Sequence, residues 1–84
     1  MPEINEGYEI IAAETYLIES DGRRDCIVLG RMETKHGARF VTWESVIWPV
    51  HYLQPRDYFW GHYFEDENQA RADYHRRLLE RYER

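Results

Sequence analysis

Tyr58-Phe59-Trp60-Gly61-His62-Tyr63-Phe64 places five aromatic rings around a single glycine. Aromatic runs of this length suit a pleated, half-buried surface, so the stretch predicts a strand. Asp66 follows almost at once as a helix N-cap, with Gln69 three residues on to complete a capping-box pattern. A helix over 66–84 is therefore expected. Glu67 suits its positive end, and Arg81 and Arg84 its negative end. Ala70, Tyr74, Leu78 and Tyr82 recur at i, i+4 along a drifting stripe with Leu79 at its flank. Glu67/Arg71, Asp73/Arg77 and Glu80/Arg84 are acid-to-base pairs in the favourable i, i+4 order, which predicts a solvated arginine face.

Working back toward the N-terminus, three more strands are expected. Tyr8–Glu19 is rich in Ile, Tyr, Thr and Leu, with an imperfect alternation that a bulge near Ala12-Ala13 reconciles. Ser20-Asp21-Gly22-Arg23 supplies the positive-φ chemistry of a tight turn. The second strand runs over 24–32, Thr34-Lys35-His36-Gly37 turns the chain, and the third strand runs over 39–48. Pro49 and Pro55 mark 49–57 as the longest loop, since proline donates nothing to a ladder. The expectation is an α+β fold with ββββα order: a four-stranded antiparallel meander and one C-terminal helix on one face. The chain of 84 residues forms a single domain, with 1–7 a polar lead-in, 8–64 the sheet and 66–84 the helix.

One helix covers one face of such a sheet. With Gly61 facing the helix, Phe59 and Tyr63 join the core, and Tyr58, Trp60, His62 and Phe64 lie on the other face beside Thr42 and Glu44. That face is either an open interaction surface or is covered by the loop around Tyr52 and Leu53.

Composition narrows the function. A formal charge of −5 argues against a phosphate-neutralising nucleic-acid surface and toward a basic protein partner. Glu9 and Glu14 lie in a stretch of 22 residues without Lys or Arg, which either steers a basic partner or keeps an edge strand unpaired. Residues 1–64 hold 10 acids against 6 bases, so the aromatic strand lacks the basic groove of a base-stacking platform. Cys26, His36, His51, His62 and His75 show none of the paired spacings of metal sites, and no cofactor motif is present. Cys26 sits in an apolar run and reads as an inert thiol. His62 with Glu44 or Asp57 is the one acid–base combination, set on a sheet without a pocket to exclude water, so a non-catalytic protein is expected. A single cysteine points to a reducing cytoplasm, and no stretch approaches the roughly 20 apolar residues of a membrane span.

Phe40-Val41-Thr42-Trp43, Tyr58–Phe64, and Ala70, Asp73, Tyr74 and Arg77 together resemble a pattern in small uncharacterised bacterial proteins, often of plasmid or phage regions. Those combine a VTW strand, a YFWGHYF strand and a terminal A-x-x-D-[YF]-x-x-R helix. The resemblance covers roughly residues 24–80 and implies a cytoplasmic accessory protein of a mobile element, with no activity or cofactor. Small acidic proteins of that origin include anti-CRISPR inhibitors, which occlude a basic site on a nucleic-acid-handling effector; that analogy rests on size, charge and context. The expected function is a partner-binding module using Trp60, His62, Tyr58, Glu44, Glu9 and Glu14. The alternatives are a homodimer pairing through the sheet face and a small His/carboxylate enzyme or ligand-binding protein.

Overall fold

A computed structural model describes residues 3–49 and 56–83. It shows five antiparallel strands in sequential order, β1 (Ile4–Asn5), β2 (Tyr8–Ile18), β3 (Arg24–Thr34), β4 (Gly37–Ile47) and β5 (Arg56–Phe64), followed by helix α1 (Glu67–Tyr82). The α+β class and the meander agree with expectation. The fifth strand is the two-residue β1, formed inside the supposed lead-in by a turn at Glu6-Gly7, whose φ angles are 52° and 85°. The loop around Tyr52 and Leu53 lies outside the described residues.

Turn chemistry acts as the sequence indicates. The Asp21 carboxylate accepts from Arg23 N at 3.0 Å, and Gly22 takes φ 95°. The Thr34 hydroxyl accepts from His36 N at 3.1 Å and donates to Gly37 O at 2.7 Å. Asp66 caps α1, accepting from Gln69 N at 3.1 Å.

The faces differ from expectation. β2 slips register between Ile10 and Ala12 and again between Thr15 and Leu17, the first slip beside the expected Ala12-Ala13 bulge. β5 slips opposite Trp43: Phe59 pairs with Glu44 and His62 with Thr42, leaving Trp60 and Gly61 together across from one residue. This bulge shifts the parity of the aromatic strand. Gly61 therefore turns toward Trp43, away from the helix: a Cβ there would lie 2.8 Å from Trp43 Nε1 and 2.9 Å from the Tyr63 ring. Phe59 and Tyr63 are exposed rather than core, and Thr42, Glu44 and His62 lie on the helix side.

Two cores result. Beneath α1, Ile27, Leu29 and Phe40 meet Ala70, Tyr74 and Leu78. On the helix-free face, Cys26, Val28, Val41 and Trp43 are buried with Tyr8. The sheet curls on itself there. In a flat sheet β2 and β5 would stand about 14 Å apart, three strand spacings. Instead the rings of Tyr8 and Tyr63 meet at 6.1 Å, and Arg56 Nη1 donates to Glu3 Oε1 at 2.8 Å. The helix-free face is thus a closed concavity and not an open plane. Gly61→Ala should lower stability by about 1–3 kcal/mol through the collision with Trp43, read as a shifted urea midpoint at constant slope. Unchanged stability would show that Trp43 and Tyr63 retreat at no cost.

Candidate interaction surface

The inward stripe of α1 is only half apolar. Asp73 and Arg77 are buried between Ala70, Tyr74 and Leu78. Asp73 Oδ2 accepts from Thr42 Oγ1 at 2.6 Å and lies 2.9 Å from His62 Nδ1, and Arg76 pairs with its other oxygen. Arg77 Nη1 donates to Thr42 O at 3.1 Å and to Thr42 Oγ1 at 3.0 Å. Of the expected surface pairs Glu67/Arg71 forms at 2.8 Å and Asp73 and Arg77 both turn inward; Glu80 meets Arg76, and its expected partner Arg84 lies outside the described residues. Burial pushes the Asp73 carboxyl up, but the bonds from Thr42, His62 and Arg76 outweigh it and hold its pKa below the ordinary value.

The expected site residues are dispersed by this arrangement. Glu44 is buried and paired with Arg81, whose guanidinium lies 5.6 Å over the Tyr16 ring. His62 takes Asp73 as its carboxylate, not Glu44 or Asp57. Such a pair can hold or move a proton, yet none of the hollows described below is lined by His62. Tyr58 packs edge-on against Trp43 in the concave core, ring centroids 5.3 Å apart. Glu9 and Glu14 lie on β2, on the opposite flank of the sheet from Trp60, and Glu14 accepts from the Tyr82 hydroxyl at 2.7 Å. Trp60 keeps its assigned exposure, 71%, and His62, Glu9 and Glu14 are exposed as well.

Trp60 stands as a ridge between two hollows. On the helix side, one of about 300 Å³ is bounded by Tyr16, Glu44, Phe59 and Arg81. On the concave side, one of about 430 Å³ is bounded by Glu6, Trp43, Arg56, Tyr58, Tyr63 and Trp60 itself. The bulge places Trp60 at φ 51°, and Glu6 at φ 52° is the other non-glycine residue in the left-handed region among those described. Both line the same hollow. Glu6, Trp43, Arg56 and Tyr63 are among the lining residues that sequence reasoning missed: glutamate carries no signal for positive φ, and Tyr63 follows the shifted parity. A further hollow of about 460 Å³ lies between Leu17 and Tyr82. No three His, Cys, Asp or Glu residues come together to hold a metal ion among those described, and no described helix is long and apolar enough to cross a membrane.

The chain matches no protein-family model, no curated protein and no solved structure.

Asp73 gives the helix–sheet contact an acid dependence. Its native pKa is depressed, so its stabilisation is fully present above the unfolded value near 3.8 and is lost as pH falls through the native value. Asp73→Asn should cost about 1–3 kcal/mol at neutral pH and flatten the loss of stability below about pH 4. Urea unfolding between neutral and acid pH measures both. An unaltered acid limb in the variant would assign it to other carboxylates.

Proposed function

We propose that the protein is a non-catalytic module that docks a protein partner on the Trp60 ridge. One observation carries this reading. A tryptophan occupies a bulge position at φ 51°, where glycine sits without strain, and its indole is left largely in water. Holding a bulky residue in that region costs on the order of 1–3 kcal/mol. Among the described residues Phe59 is its ring neighbour, tilted with centroids 6.0 Å apart. A costly conformation that presents an aromatic side chain to solvent matches what a binding anchor needs: a large rigid contact that a partner desolvates. The charge of −5 supports a partner with a basic surface. Occlusion of a nucleic-acid-handling effector, in the manner of an anti-CRISPR inhibitor of a mobile element, is the biological form we propose for that docking; size and acidity support it.

Trp60→Gly separates anchor from scaffold. The variant should unfold within about 1 kcal/mol of the parent, since strain is relieved where a side chain is lost. A photo-crosslinking residue in place of Phe59 should capture a partner in the native host, and Trp60→Gly should abolish that adduct. Strong destabilisation by Trp60→Gly, or an adduct indifferent to it, would overturn the reading. An adduct of twice the chain mass would replace the partner by a second copy.

A further inference from the structure

Three of the molecule's arginines are held in one repeated way, with a ring beneath the guanidinium and a carboxylate at its edge. Arg56 lies 5.4 Å over Tyr58 and donates to Glu3 Oε1. Arg81 lies over Tyr16 and pairs with Glu44. Arg23 lies 5.8 Å over Trp48 and donates to Glu19 Oε1 at 3.1 Å. The concave-side hollow assembles the same components again: Trp60 and Tyr63 supply exposed rings, and Glu6 an exposed carboxylate. Among the described residues no guanidinium lies over either ring, and Glu6 makes no ion pair.

We propose that this hollow receives an arginine side chain presented by a partner polypeptide. The guanidinium lies against the Trp60 or Tyr63 ring and donates to the Glu6 carboxylate. Three considerations select this occupant. Aromatic faces attract cations, and arginine's planar group both stacks and donates in a fixed fork. The cation already on the rim, Arg56, is neutralised by Glu3, so the lining carboxylates, Glu6 and Asp57, set a negative local sign. A nucleic acid would find rings to stack on, but its phosphates would meet Glu6 on a chain of charge −5. This assignment rests on the binding-module reading and names the chemistry that its ridge recognises.

The test follows the indole N–H signals of the full chain by NMR during titration with a blocked Gly-Arg-Gly peptide. Its citrulline counterpart, of the same shape without charge, is the control. The arginine peptide should shift the Trp60 signal saturably, with Kd of about 1–10 mM for one side chain. The citrulline peptide should bind at least about tenfold more weakly, and Glu6→Gln should weaken the arginine peptide roughly three- to tenfold with the spectrum otherwise preserved. Free arginine, which carries its own carboxylate toward Glu6, should bind less tightly than the blocked peptide. Equal binding of the arginine and citrulline peptides, or no effect of Glu6→Gln, overturns the proposal. Tighter binding of free arginine would move the ligand to a small molecule, and tighter binding of an oligothymidylate would move it to nucleic acid; either result overturns it. Should the arginine peptide fail while the crosslink from position 59 still depends on Trp60, the arginine assignment falls and the docking module stands. Loss of both removes the module as well.

Discussion

The meeting of Tyr8 with Tyr63 is the constraint from which the rest of the structure follows. A small chain has one helix and a sheet with two faces, and an uncovered apolar face is costly in water. Curling brings the flanks of the sheet together around Val28, Val41 and Trp43, which are buried. Curvature of that degree needs bulges, which increase local twist and re-aim the chain. β2 carries two register slips and β5 one. Close approach also removes side chains: a Cβ on Gly30 would stand 3.0 Å from Val41 Cγ1 and 3.1 Å from Tyr8 Cβ. Closure therefore requires a bulge opposite Trp43, but it does not require tryptophan there. The fold demands the backbone conformation, and the residue that adopts it is a separate matter, which is why its identity bears on function.

On the other face, the helix is held by a mixture of apolar contact and a buried polar cluster. Ala70, Tyr74 and Leu78 give a narrow apolar seam, and Asp73 and Arg77 fill the rest of the stripe. Burying charge is expensive, and such groups add little net stability when every bond is made. Their value lies in what misplacement would cost. A helix shifted along the sheet would strand Asp73 away from Thr42 and His62, and Arg77 away from Thr42 O, so the cluster fixes one register. The three residues that pin Asp73 come from three elements, β4, β5 and α1, which ties the orientation of the helix to the β5 bulge on which Trp60 stands.

What the sequence made legible was local chemistry. Asp21-Gly22, Thr34 with Gly37, and Asp66 with Gln69 act over two or three residues, and tertiary context has little scope to overrule them. The strand order followed from those turns. The faces are less legible, because a single bulge inverts every assignment beyond it: one unpaired position at Trp60-Gly61 puts His62 on the helix side and Tyr63 out of the core. Spacing alone makes Asp73 and Arg77 a surface pair, since charge usually faces water. Their positions carried a contrary signal, for 70, 73, 74, 77, 78 and 81 follow the i, i+3, i+4, i+7 pattern of one helix face. Ala70, Asp73, Tyr74 and Arg77 are all buried on that face.

Net charge misleads about where recognition resides. Many of the acids are engaged within the molecule: Glu3 with Arg56, Glu19 with Arg23, Glu44 with Arg81, Glu67 with Arg71. What remains is a diffuse negative field, screened over about 8 Å at physiological ionic strength, which affects how often a basic partner arrives. Choosing among basic partners needs contacts that a screened field does not supply. Those contacts are local, and they require a carboxylate held next to an aromatic surface, where water is displaced and a cation is weakly solvated. Glu14 is engaged by the Tyr82 hydroxyl and neither it nor Glu9 lines the concave hollow, whereas Glu6 shares that hollow with Trp43, Tyr63 and Trp60. In this chain the discriminating acid is therefore set by a turn at the sheet's short first strand and by the curl that carries that turn across to the last one.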